Sequence, residues 1–123
     1  MQNVVKLLDK DIIYVQKVGS QTERSMLDLF AQINELVDSL RTRNKPVLIL
    51  SDSTKEGVMD DGAREIATRI GTNLDYDKSA TYGSTPFIFE MRKRMIAESG
   101  LGHKVADFKT RQGALSWLLE STE

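Results

Sequence analysis

The chain has 123 residues, 40% hydrophobic and 28% charged, with 17 basic and 18 acidic side chains and a net charge of -1. That length can bury about two-thirds of the unfolded surface around one core, the balance argues against disorder, and near-neutrality excludes a global pull towards nucleic acid. The absence of cysteine excludes a disulfide framework, a thiolate nucleophile and a cysteine zinc site, which fits a reducing cytosol.

No apolar run approaches the ~20 residues of a membrane span. The N-terminus, Met1-Gln2-Asn3, turns polar again soon after Val4-Val5 and does not read as a signal peptide. Val4 to Leu8 and Ile12 to Val18 predict two strands around the polar turn Asp9-Lys10-Asp11, a β-hairpin. Ser20 with Glu23 has capping-box spacing, and Thr22 is an alternative cap. Met26, Phe30, Ile33, Val37 and Leu40 then recur every three or four residues, predicting an amphipathic helix to about Arg43.

Pro46 to Leu50 is a continuous apolar run, which suits a central strand buried on both faces. Ser51 to Gly57 predicts a polar loop. Asp60 or Asp61 can cap a second helix buried through Ala63, Ile66, Ala67 and Ile70. Lys78 to Gly83 is a weaker strand rich in small residues. Thr85 before Pro86 starts a third helix, whose apolar side is expected to be Phe87, Ile88, Met91, Met95 and Ile96. Gly100 and Gly102 end it. His103 to Phe108 predicts a last strand, and Thr110 caps a helix containing Ala114, Leu115, Trp117, Leu118 and Leu119.

The order is β-β-α-β-α-β-α-β-α, with no repeat or linker, and it predicts a single domain over 1–123. Alternating elements imply a mainly parallel sheet with helices packed on it and an antiparallel N-terminal edge hairpin. Ligands of such sheets sit beyond the carboxyl ends of the strands. That places the expected working rim in the loops after Leu50 and Gly83.

The order and three stretches resemble STAS domains, the anti-sigma-factor antagonist fold, and above all their SpoIIAA-like relatives. The stretches are Val47-Leu48-Ile49-Leu50-Ser51-Asp52, Ala80-Thr81-Tyr82-Gly83-Ser84, and Val105-Ala106-Asp107-Phe108-Lys109-Thr110 continued by Ala114-Leu115-Ser116-Trp117-Leu118. The resemblance implies a non-catalytic domain that binds another protein, with a nucleotide or lipid as further options. Regulatory members carry a phosphorylatable serine before the second helix. Here Asp60 stands about where that serine is expected, ahead of Gly62. A permanent charge there either mimics the phosphorylated state or marks a missing switch.

The expected binding residues are Ser51, Asp52, Ser53, Thr54, Asp60, Asp61, Ser84, Thr85 and Phe87. Each has a plain structural alternative. Ser84 and Thr85 sit where a helix N-terminus favours an anion, or simply cap it. Ser51 to Lys55 either contact a ligand or make local turns. Asp60 with Asp61, and Asp75 with Asp77, suggest paired carboxylates or a hard-metal site, against capping and turn roles. No metal or cofactor is expected. His103 stands at the end opposite the rim, and no Gly-x-Ser-x-Gly elbow occurs, which argues against a serine triad. Arg92-Lys93-Arg94 is a short basic cluster, either a dock for an acidic partner or lipid headgroup or a solvated face. Phe87 and Phe89 are about 200° apart on a helix, so they cannot point the same way.

Three functions follow as expectations. The first is a regulatory or interaction domain in the cytoplasm, without a membrane segment or nucleic-acid partner. The second is a carrier of a lipid or apolar metabolite, suggested by the Met- and Phe-rich third helix and by the likeness of SpoIIAA-like domains to CRAL-TRIO carriers. The third is a hydrolase working from Ser84 or Asp52, which lacks a positioned base. An enclosed apolar space between the second and third helices and the sheet favours the carrier, and a flat exposed rim favours protein binding.

Overall fold

The computed structural model describes residues 2–71 and 73–120. Strand β1 (Val4–Leu8) turns through a short 3-10 segment, Asp9–Asp11, into β2 (Ile12–Gln16). Lys10 and Asp11 take left-handed backbone angles in that turn. A short β3 (Gly19–Gln21) leads to α1 (Glu23–Thr42), then come β4 (Leu48–Asp52), β5 (Glu56–Met59) and α2 (Asp61–Gly71). The chain ends with β6 (Lys78–Tyr82), α3 (Pro86–Ser99), β7 (Val105–Phe108) and α4 (Arg111–Leu118).

The main sheet has the order β1-β2-β4-β6-β7. β1 pairs antiparallel with β2, and the other three pairings are parallel. The expected mainly parallel α/β architecture with an N-terminal edge hairpin is the one observed. Two details differ. The second strand stops at Gln16 instead of running to Val18, and Gly19–Gln21 pairs separately with Glu56–Met59 in a small parallel sheet. The polar run after Leu50 therefore contains the end of β4 and the start of β5. Backbone pairing there satisfies N–H and C=O groups that a solvated loop would leave to water.

Side chains one apart on a strand point to opposite faces, and both faces are covered. On one, Ile13, Val15 and Ile49 meet Met26, Leu29, Ile33, Val37 and Leu40 of α1 and Ala63 and Ile66 of α2. On the other, Ile12, Tyr14, Leu50, Ala80 and Tyr82 meet Ala114 and Leu118 of α4. Trp117 packs at the edge of this second layer, 5.7 Å from the Phe108 ring. Lys78 closes it, donating Nζ–H to the carbonyls of Trp117 (3.0 Å) and Glu120 (3.4 Å) at the end of α4, where a cation is favoured.

Thr22, not Ser20, caps α1: its hydroxyl accepts from Ser25 N–H, and Ser25 Oγ accepts from Thr22 N–H. The capping box is reciprocal with serine in place of the usual Glu or Gln. Thr85 and Thr110 cap α3 and α4 as expected.

The third helix departs from its expected orientation. Phe87, Met91 and Met95 are 74%, 42% and 61% exposed, while Ile88, Phe89, Arg92 and Ile96 are the half-buried positions. The reason is an acid on β7. Asp107 is two residues from Val105 and so shares its face, and its side chain is only 1% exposed. The observed orientation turns Ile88, Phe89 and Ile96 inward and leaves Phe87, Met91 and Met95 outside. Only the observed one brings Arg92 Nε to Asp107 at 3.0 Å. Leaving that carboxylate buried and unpaired costs about 3–5 kcal/mol. Arg92, expected as part of a solvated basic face or a dock, is thus a structural and site residue.

Candidate functional site

Two consecutive rows of side chains cross the carboxyl end of the sheet. Parallel register aligns Val15, Ser51, Thr81 and Asp107 in one row, and Gln16, Asp52, Tyr82 and Phe108 in the next. The rows face opposite ways. The structure thus separates Ser51 from Asp52, which the sequence placed together in one loop.

The Asp52 row faces α4 and is closed on itself. The Asp52 carboxylate accepts Tyr14 O–H at 2.6 Å, Gln16 Nε2–H at 3.0 Å, and the Thr54 N–H and O–H at 2.9 and 2.6 Å. Burial works to raise its pKa, but the hydrogen bonds from Thr54 and Tyr14 outweigh it and hold the group down at about 2. In return, burial and the Asp52 charge push both Tyr14 and Tyr82 above the ordinary phenol range. Arg111 completes the cluster, with its guanidinium 5.4 Å over the Tyr14 ring and NH1 donating to Tyr82 Oη at 3.4 Å.

The loops after β4 and β6 meet, as expected. Ser53 N–H donates to Tyr82 C=O at 2.9 Å. Gly83 has φ +85°, and a Cβ there would lie 2.5 Å from Thr54 Cγ2, so both conformation and space require glycine. Ser84 Oγ is buried with no hydrogen-bond partner among the described residues. Asp60 Oδ1 accepts Ala63 N–H at 2.8 Å and so caps α2. Asp61 stays in solvent, 3.7 Å from Arg64. Asp75 and Asp77 are both held by Arg41, Asp75 through two N–H groups at 2.9 Å and Asp77 through one at 3.0 Å. His103 lies in the turn before β7, at the opposite end of the sheet from this rim.

The Ser51 row faces the other way, towards α2 and α3, and it is open. A cleft of about 400 Å³ lies between those helices over the sheet. Its floor is Ile49, Ser51, Ser79, Thr81 and Val105, and its walls include Ala67 and Gly71 of α2 and Met95 of α3. Small residues on β6, a weak strand signal in sequence, leave this room. At the carboxyl end of the cleft is a recess of about 30 Å³ bordered by Lys17, Ser51, Ser53, Thr81 and Arg92.

Arg92 donates NH2–H to Thr81 Oγ1 at 3.2 Å as well as pairing with Asp107. Burial raises the Asp107 carboxyl above its usual range, against the pull of Arg92. Lys17 lies 3.7 Å from Glu56, whose other oxygen accepts Ser53 O–H at 2.9 Å. Burial lowers the Lys17 ammonium below its ordinary range; Glu56 opposes this and the nearby Arg92 adds to it.

Of the expected residues, Ser51 and Ser53 border the recess, Asp52 and Thr54 form the closed cluster, and Ser84 and Thr85 begin α3. Phe87 is exposed beside them, and Asp60 and Asp61 stand at the start of α2. Lys17 and Asp107 were missed, and Arg92 was expected only as part of a basic dock or a solvated face. The available signal was Asp107 itself, an acid in phase with an inward-facing valine on a short strand.

No family model matches the chain, and no curated protein matches it by sequence. Solved structures do match it. A DUF3478-family protein with a SpoIIAA-like fold, from Shewanella loihica PV-4, is 17% identical with a TM-score of 0.66, over 94% of this chain and 91% of that one. The anti-sigma factor antagonist SpoIIAA in its unphosphorylated form is 13% identical with a TM-score of 0.59, over 94% and 96%. Identities this low speak for architecture and not for task. No helix among the described residues is long and apolar enough to cross a membrane. Element order, sheet topology and these neighbours together show that the chain has the SpoIIAA-like fold of STAS domains.

Proposed function

We propose that this chain is a non-catalytic interaction domain of the STAS regulatory type, which docks a partner protein on the exposed side of α3 beside the rim. The observation that carries this reading is the stripe Phe87, Met91 and Met95, spaced four apart on one helix face and left in water. Exposed apolar side chains grouped in this way mark interaction surfaces more often than chance placement does. The rim itself supports the non-catalytic part: Asp52 uses its oxygens on Tyr14, Gln16 and Thr54. Asp60, about where a switch serine is expected, caps α2 through Ala63 N–H, a structural role that supports a domain without that switch.

The test is affinity capture from the native host, with and without nucleotide, followed by cross-link mapping. A specific partner should cross-link to α3, and Phe87→Ser should abolish its capture while leaving the fold intact. Capture that survives Phe87→Ser unchanged, or no specific partner under either condition, overturns the reading.

A second reading, binding of a small apolar ligand, is favoured by the cleft between α2 and α3. Its size falls within the range of about 300–1,000 Å³ typical of small-molecule sites.

A further inference from the structure

We infer that the cleft between α2 and α3 binds a small amphipathic carboxylate, its head in the recess between Lys17 and Arg92 and its tail along the apolar floor. This rests on the small-ligand reading and adds the chemistry of the ligand. Three observations carry it.

The first is charge. The charged side chains lining the cleft are Lys17 and Arg92, both cations. Asp52 also borders the recess, but its carboxylate is engaged by Tyr14, Gln16 and Thr54 in the other row. Each cation is paired with one acid, Lys17 with Glu56 at 3.7 Å and Arg92 with Asp107 at 3.0 Å, and neither acid lines the cleft or the recess. Asp107 is 1% exposed beneath Arg92, and Glu56 is tied to Ser53. Two cations held near each other, with an open recess between them, attract an anion more strongly than either does alone.

The second is donor geometry. Arg92 uses Nε on Asp107 and NH2 on Thr81, which fixes the guanidinium plane in a way a free surface arginine is not fixed. Ser51, Ser53 and Thr81 border the same recess, with Thr81 Oγ1 held by Arg92 and Ser53 Oγ by Glu56. The recess is small, at about 30 Å³, so it admits a compact polar head and not a bulky one. Burial lowers the Lys17 ammonium below its ordinary range even with Glu56 paired to it at 3.7 Å, which marks a desolvated cation.

The third is the sudden change of character beyond the recess. Ile49, Phe30, Leu74, Tyr76, Met95 and Val105 line the rest of the cleft. A polar head at one end and an apolar run behind it define an amphipathic occupant and exclude a bare anion.

Titration calorimetry of the full chain with octanoate, decanoate and dodecanoate tests this. Affinity should rise about fourfold for each added methylene until the cleft is full. The matched primary alcohols should bind at least about tenfold more weakly, as expected when a charge-assisted hydrogen bond is lost. Lys17→Met removes one cation without orphaning Asp107, and should sharply reduce the preference for acid over alcohol while sparing alcohol binding. Ala67→Phe fills the tail end and should weaken dodecanoate most, which keeps the test intact if Lys17→Met does not fold. Equal binding of acid and alcohol overturns the inference but leaves a small-ligand site standing. Acid binding without dependence on chain length also overturns it, since that describes a bare anion site. No binding at all overturns both the inference and the small-ligand reading, and none of these three results bears on capture through Phe87, which does not line the cleft.

Discussion

The two rows at the carboxyl end of the sheet are neighbours in sequence and opposites in state. Tyr14, Asp52 and Tyr82 face α4, and with Gln16 and Thr54 they bond one another so that none of their buried side-chain polar atoms lacks a partner among the described residues. One residue earlier on each strand, Ser51 and Thr81 face a cleft that α2 and α3 do not fill. The same pleat therefore builds a structural lock on one side and a receptive surface on the other. A polar residue near the end of a parallel strand is informative only once its face is known. Asp52, the residue that looked most chemical, is fully occupied. Arg92, which looked like surface, holds the open side together.

Arg92→Ala strikes the open row at its support and should have the largest effect. It strands Asp107 in the interior, and urea denaturation should show a loss of about 3–5 kcal/mol. Arg92→Met combined with Asp107→Leu should recover most of that loss, because an apolar pair replaces an ionic one. A loss under 1 kcal/mol for the single variant would mean the ion pair does not set the orientation of α3.

Asp52→Asn probes the closed row. The folded-state pKa of Asp52, about 2, lies below its ordinary 3.8. The native state therefore holds this proton more weakly than the unfolded chain does. The stabilisation is present above about pH 4 and is lost as pH falls through about 2. The shift corresponds to roughly 2 kcal/mol. Asp52→Asn should cost about that much at pH 7 and flatten the acid limb of stability against pH. A variant whose acid limb matches the parent would show that Asp52 does not govern it.

Gly83→Ala tests the seam between the rows. A left-handed backbone and the contact with Thr54 should together cost about 1–3 kcal/mol. Adding Thr54→Ser removes the crowding methyl but keeps the hydroxyl on Asp52, so thermal melting should show partial recovery. Phe87→Ser, at the far end of the scale, should change stability by no more than about 0.5 kcal/mol. Its effect belongs to partner capture, and a large loss of stability would show that the side chain packs in solution.

Much of this protein was legible in its residues. The apolar run from Pro46 to Leu50 specified a doubly buried strand, the spacing from Met26 to Leu40 specified α1, and Thr85 and Thr110 specified two helix starts, because caps and periodicity are local properties. The meeting of the Ser53–Thr54 and Gly83–Ser84 loops also followed from strand order. β3 and β5 were not legible, since each is too short to carry a pattern and exists only by pairing with the other.

The facing of α3 was decided in three dimensions. Its apolar residues surround the helix, so periodicity alone selects no side, and a buried acid on a strand formed later in the chain selects it instead. Sequence order settled which elements exist and how the strands line up. Only the packed structure settled which side chains of adjacent residues are locked and which are open, because that depends on what happens to cover each face of the sheet.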